Sequence, residues 1–281
     1  MQIYYLQGKK IIYYIEIDIN KKNYLLGMKK ILFLAALIFS TSSLMAQTEV
    51  IAHRGFHAKQ GANSANNTIS ALQNAQDLGV YGSEVDINET KDGKLVAVHG
   101  PNHQNYNVQN TDFAVLRATP VHNGEKLPTL EEYLLQAKKN TKTKLIIEIK
   151  SHNTPERETR VVKKILDEVK RLKMTKHVEY IAFSKHVCDE VVKYAPKKTK
   201  IAYLNGDLTP QQCKENGYTG IDYNFGTMKK HPEWIQQSHD LGLTVNIWTV
   251  NKTDELQWCI DNKADYITTD NPIEANRLLG K

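Results

Sequence analysis

The chain has 281 residues, 41% hydrophobic and 24% charged, with 37 Lys and Arg against 31 Asp and Glu. That mixture excludes a polytopic membrane protein, a collagen-like chain and a disordered one, and the length can bury a sizeable core. The formal charge of +6 is uneven: residues 1–46 hold six lysines against Glu16 and Asp18, leaving 31 cations and 29 anions, so net charge gives polyanion binding no support.

Met28-Lys29-Lys30 precedes nine apolar residues, 31–39, then Ser40-Thr41-Ser42-Ser43 and Leu44-Met45-Ala46-Gln47. A positive start, a short apolar run and a small residue ahead of a polar one make a secretory signal peptide of 28–46. The run is too short for an anchor, which needs about 20 apolar residues. Residues 1–27 then read as a mis-called extension upstream of the true initiator, Met28. The mature domain is expected to be 47–281, exported to the periplasm or beyond, with no stable membrane anchor. Cys188, Cys213 and Cys259 are odd in number and lack CxxC spacing. They read as small buried hydrophobes, not as a disulfide framework or a zinc site.

From residue 49 short β-branched runs alternate with segments of helical period, the pattern of a parallel α/β fold. Strands are expected near 50–53, 83–86, 144–150, 178–183, 200–204, 220–224, 244–250 and 266–269. Asn67-Thr68 caps a helix that turns Ile69, Leu72 and Leu78 inward and stops at Gly79. Lys91-Asp92-Gly93 joins two strand-like runs, 84–90 and 94–99, as an antiparallel hairpin outside the parallel count. Residues 100–127 have little periodicity and read as a loop excursion on the rim. Pro155 opens a helix with Val162, Ile165, Val169 and Leu172 on one face, and the last helix begins at Pro272. Eight βα units in about 235 residues specify a TIM (β/α)8 barrel with a small hairpin and loop excursion after its second strand. The competing open doubly wound sheet has no Gly-rich phosphate loop after the first strand.

Polar side chains at the C-terminal ends of such strands share one mouth. The first strand ends in His53-Arg54-Gly55. The second carries Glu84 and Asp86 on one face, the hairpin returns to His99, and the third places Glu148 and Lys150 on one face of an otherwise aliphatic run. Three converging carboxylates cannot all ionise without a compensating cation. Lys150 and Arg54 can supply it as a structural ion cluster, or a divalent metal can; all-oxygen ligation favours Ca²⁺ or Mg²⁺ over Zn²⁺. Together with two histidines the set fits phosphoester cleavage. Cations neutralise the phosphate while the histidines move protons.

Ile51-Ala52-His53-Arg54-Gly55, Asn66-Asn67-Thr68, Glu84-Val85-Asp86, Thr90-Lys91-Asp92-Gly93 with His99, Leu127-Pro128-Thr129-Leu130-Glu131-Glu132, Ile147-Glu148-Ile149-Lys150, Val245-Asn246-Ile247-Trp248-Thr249-Val250-Asn251 and Thr268-Thr269-Asp270-Asn271-Pro272 occur in that order. In this ordered set the chain resembles the glycerophosphodiester phosphodiesterase family, over nearly the whole mature region. The resemblance implies a barrel that hydrolyses glycerophosphodiesters to glycerol 3-phosphate and an alcohol. It implies His53 and His99 as the acid/base pair, Arg54 as phosphate clamp and Lys150 as a phosphate contact. Trp248 would line the pocket, and Glu84, Asp86 and Glu148 would hold one divalent cation, Ca²⁺ or Mg²⁺.

Two positions depart from the family pattern: Asn66 stands where Glu is usual, leaving one carboxylate fewer near the metal and Arg54, and Gly100 where Asp follows the histidine. They motivate one rival, a non-catalytic phosphodiester-binding relict. A phosphatidylinositol phospholipase C-like enzyme is another, but its bacterial forms dispense with the metal. Glycoside hydrolysis would leave both histidines idle, and Glu84 and Asp86 are too close to flank a sugar bond. Loop residues His57, His103 and His122 read as solvent-exposed, Tyr223 and Asn224 as packing or pocket lining, and Lys138-Lys139 and Lys163-Lys164 as solvated helix faces. The expected partner is a small-molecule diester, with no nucleic acid.

Overall fold

The computed structural model describes residues 47–59 and 61–281, so the expected upstream extension and signal peptide lie outside the described residues. In chain order, β1 (Glu49–Ala52) and β2 (Gly82–Glu89) precede the antiparallel β3 (Leu95–Ala97) and a small ribbon of β4 (Asn102–His103) and β5 (Tyr106–Asn107). The remaining strands are β6 (Lys144–Ile149), β7 (Val178–Ala182), β8 (Ile201–Tyr203), β9 (Gly220–Asn224), β10 (Thr244–Trp248) and β11 (Tyr266–Thr269). Apart from β3–β5 the strands are parallel and neighbour one another in the order β1, β11, β10, β9, β8, β7, β6, β2. Pairing of Ile51 with Gly82 then closes the ring. This is a TIM (β/α)8 barrel. Among the described residues no helix is long and apolar enough to cross a membrane.

Strand alternation divides two apolar layers. Val50, Val85, Leu145 and Ile147 face outward into the large core shared with the helices, while Ile51, Ile146, Ile181 and Leu204 cluster inside the barrel. The first two helices to pack outside the barrel wall itself are α1 (Ile69–Leu78), capped by Thr68 and ended by left-handed Gly79, and a later one, Leu130–Ala137, opened by the Thr129–Glu132 capping box. The inside of the barrel is plugged at its N-terminal end: Lys200 Nζ lies 3.0 Å from both Glu179 and the Tyr81 hydroxyl and 3.1 Å from that of Tyr266. The mouth is the end left open to chemistry.

Two expectations need refinement. The helix after β1 is capped by Thr68 alone, because Asn67 turns inward. The stretch 100–127 is more than a loop: besides the β4–β5 ribbon it contains a short helix, α2 (Phe113–Ala118), over a separate small core of Val96, Val98, Val108, Leu116 and Leu127. The Pro155 and Pro272 helix starts agree with expectation, and all three cysteines are free and buried.

Candidate active site

Beyond Ala52 the chain turns away through Arg54 and Gly55, both left-handed at φ 55° and 81°. A Cβ on Gly55 would lie 2.7 Å from Ala71, so the turn accepts only glycine. This geometry aims the Arg54 amide at Glu84 Oε2, 2.7 Å away. Asn67, left-handed as well, donates Nδ2 to Asp86 Oδ2 at 2.8 Å and accepts the Asp86 amide at 3.0 Å. Two strained turns thus hold two carboxylates of β2.

The register of β2 with β6 sets Asp86 beside Glu148, and the oxygens of Glu84, Asp86 and Glu148 all come within 4.8 Å of one another. All three residues are buried. Lys150 Nζ reaches Glu148 at 2.5 Å and Asp86 at 3.2 Å, and Arg54 Nε lies 3.4 Å from Asp86. Burial would raise the Asp86 pKa, but Lys150, His99, the Asn67 hydrogen bond and Arg54 outweigh it and hold Asp86 ionised. Glu148 goes the other way, to about 7, through burial and the charge of Asp86 against the pull of Lys150. Burial followed by Asp86 and Glu148 pushes Glu84 well above the ordinary range. Its Oε1 is buried with no hydrogen-bond partner. The cluster therefore lacks positive charge beside an orphaned oxygen, and a hard divalent cation fits that deficit.

His53, reached across the β1–β11 pairing, places Nδ1 2.7 Å from Asp270 Oδ1, and His57 Nε2 lies 3.1 Å from the same oxygen. Asn251 clamps the carboxylate, donating to Oδ2 at 2.7 Å and accepting the Asp270 amide at 2.8 Å. These histidine and asparagine contacts outweigh burial and hold Asp270 far below the usual carboxylate range. With Nδ1 engaged, His53 keeps Nε2 for the mouth. His99 is exposed just past β3; desolvation in the mouth, with Lys150, Arg54 and His53, lowers its pKa despite Asp86. Trp248 is fixed by its Nε1 bond to the Asp222 carbonyl, 2.8 Å, and stands edge-on to Phe183 at 5.5 Å.

The model of the glycerophosphoryl diester phosphodiesterase family matches residues 53–274. The chain belongs to that family. With it goes the reaction class of a phosphoric diester hydrolase. A glycerophosphodiester phosphodiesterase from Parabacteroides distasonis is 41% identical, with a TM-score of 0.81 over 84% of this chain and 98% of its own. One from Caldanaerobacter subterraneus subsp. tengcongensis is 28% identical over 84% of this chain and 99% of its own. An Oleispira antarctica phosphodiesterase, solved with its product sn-glycerol-3-phosphate, shares the fold at 16% identity and a TM-score of 0.72, covering 84% of this chain and 98% of its own.

Within this family frame, Arg54, Glu84, Asp86, Glu148 and Lys150 form one connected cluster, with His53, His99 and Trp248 at the same end of the barrel. The loop reading of two histidines is corrected. His57 is only 18% exposed on its side chain because Asp270 holds it, and His103 is buried because it bonds the Thr119 carbonyl at 2.8 Å across the rim. Tyr223 is wholly buried packing, its hydroxyl donating to the Leu208 carbonyl, and Asn224, beside Trp248 in register, caps the next helix. Asn66 is exposed, Asn67 beside it holds Asp86, and Arg54 Nε is buried without a hydrogen-bond partner. At Gly100 a Cβ would meet Asn102 only at ordinary contact distance. Sequence reasoning gave Asp270 and Asn251 no role, and it read Asn67 only as part of a helix cap.

Proposed function

We propose that the protein hydrolyses glycerophosphodiesters to glycerol 3-phosphate and an alcohol with one divalent cation, Ca²⁺ or Mg²⁺, held by Glu84, Asp86 and Glu148. The observation that carries this is the orphaned, cation-deficient carboxylate trio beside two histidines, Arg54 and Lys150. The cation, when bound, offsets the negative charge that builds on phosphate oxygens. Arg54 and Lys150 share that task and orient the phosphate. His99, held neutral at pH 7, accepts the proton of the attacking oxygen, from water directly or from a substrate hydroxyl whose cyclic phosphate water then opens. His53, oriented by Asp270 through Nδ1, delivers a proton from Nε2 to the departing oxygen. Trp248 and Phe183 give the organic part of the substrate an apolar wall.

The test is incubation with glycerophosphocholine and each metal, followed by product identification. Release of glycerol 3-phosphate supports the reading; no product in a protein that still gains thermal stability from the metal contradicts it. Export follows from residues 28–46 and is checked by N-terminal sequencing of the protein recovered outside the cytoplasm, which should begin at Gln47.

A further inference from the structure

The end of the barrel opposite the mouth carries a division of charge that the near-neutral total conceals. The turns that lead into β6, β7 and β8, residues 138–144, 170–177 and 193–200, contain twelve Lys and Arg and no Asp or Glu. Those strands are neighbours, so the three turns share one half of the closed end. They are tied together: Lys138 Nζ donates to the Leu172 carbonyl at 3.1 Å, Lys144 Nζ to the Lys176 carbonyl at 2.8 Å, and the Tyr180 amide to the Lys200 carbonyl at 3.0 Å. The turns into β2, β9, β10 and β11, residues 77–81, 214–219, 239–243 and 261–265, instead hold five carboxylates and two lysines.

Helix ends explain part of the cluster. Lys170, Arg171 and Lys193 lie in last helical turns, where cations offset the carbonyl dipoles. Lys142, Lys173, Lys176, Lys197 and Lys198 lie beyond the helices, are exposed, and among the described residues form no salt bridge. Their mutual repulsion is a cost the fold does not need. Eleven of the twelve cations are lysines, point charges without the fork that reads phosphates one by one. The exposed ring nearby, Tyr194, is already faced by Lys163 at 4.3 Å and Lys193 at 4.7 Å, which leaves no platform for stacking a base.

We propose that this half of the closed end docks reversibly on a bilayer bearing anionic phospholipid headgroups. Short turns on one end of a barrel offer a broad, shallow face that suits a planar charged surface. The attraction is electrostatic and fades within a Debye length. Docked this way, the mouth points to water and takes soluble diesters instead of lipids embedded in the same membrane. The inference is independent of the hydrolytic reading, because it involves no residue of the mouth.

The experiment compares co-sedimentation of the purified protein with vesicles of phosphatidylcholine alone and of phosphatidylcholine with phosphatidylglycerol, at low and high salt. The difference between the two compositions is the readout, which cancels any binding common to both. Wild type is expected to bind the anionic vesicles at low salt and release at high salt. The triple variant Lys142→Glu, Lys176→Glu and Lys197→Glu should lose at least about tenfold of that difference, since each Lys near an anionic surface is worth about fivefold. A control with Lys214→Glu, Lys230→Glu and Lys263→Glu, equal in charge change, should keep it. All three proteins should unfold at similar temperatures, which shows them folded independently of any turnover. No anionic preference in wild type, salt-insensitive binding, or equal loss in the control overturns the proposal. Equal affinity for duplex DNA overturns its assignment to lipid.

Discussion

Asp270 places His53, and the bond between them leaves Nε2 as the ring nitrogen free for the proposed proton transfer. Asparagine at 270 keeps the shape but presents an amide that can donate to Nδ1, favouring the wrong tautomer. Asp270→Asn should therefore cut kcat by about a hundredfold or more while KM changes little. Steady-state kinetics on glycerophosphocholine checks this, and a change confined to KM would remove Asp270 from the proton path. His53→Ala and His99→Ala should each lower kcat by about 10² to 10⁴, with thermal unfolding near that of wild type. Near-normal kcat in either would refute the acid/base pair. His53 and His99 were legible from the sequence because each follows a strand that the pattern of apolar residues already locates. Asp270 was not, since it meets His53 across 217 residues of chain and only once β1 and β11 pair.

At the level of elements, the turn after β1 matters more than its length suggests. It binds Glu84 through the Arg54 amide and passes so close to Ala71 that Gly55 has no room for a methyl group. Gly55→Ala should destabilise the fold by about 2–3 kcal/mol, from left-handed strain and overpacking together. Urea unfolding measures it, and a loss under about 0.5 kcal/mol would show that the turn can relax. Strand positions were readable because the runs are β-branched and the barrel repeats them. The rim excursion was not, because its core of Val96, Val98, Val108, Leu116 and Leu127 gathers single residues from elements too short to show a period. His57 and His103 were misjudged for a related reason: a loop position says nothing of a partner brought in from a distant strand end or turn.

For the whole molecule, the carboxylate trio ties stability to pH, and the proposed cation would tie it to metal as well. Burial and Asp86 lift Glu148 from 4.5 to about 7 in the folded state. A carboxyl raised in this way favours folding in its protonated form, fully below about pH 4.5, and that contribution is lost as pH rises through 7. Asp222, raised by burial to about 8, adds a similar slope. The metal-free protein should thus have a lower Tm at about pH 8 than at about pH 5, and a divalent cation should restore more of it at the higher pH. Differential scanning with and without Ca²⁺ at both values checks this; a metal increment independent of pH would place the ion elsewhere. The closed end of the barrel shows the limit of whole-chain arithmetic, since a net +2 hides twelve cations on three adjoining turns. The central claim is that Glu84, Asp86 and Glu148 hold the cation on which turnover depends. Its most direct test strips wild type and Glu148→Gln with EDTA and follows glycerol 3-phosphate release from glycerophosphocholine as Ca²⁺ or Mg²⁺ is added back. Saturable recovery in wild type and none in Glu148→Gln is the predicted result; full activity after EDTA, or the same metal titration in both proteins, would contradict it.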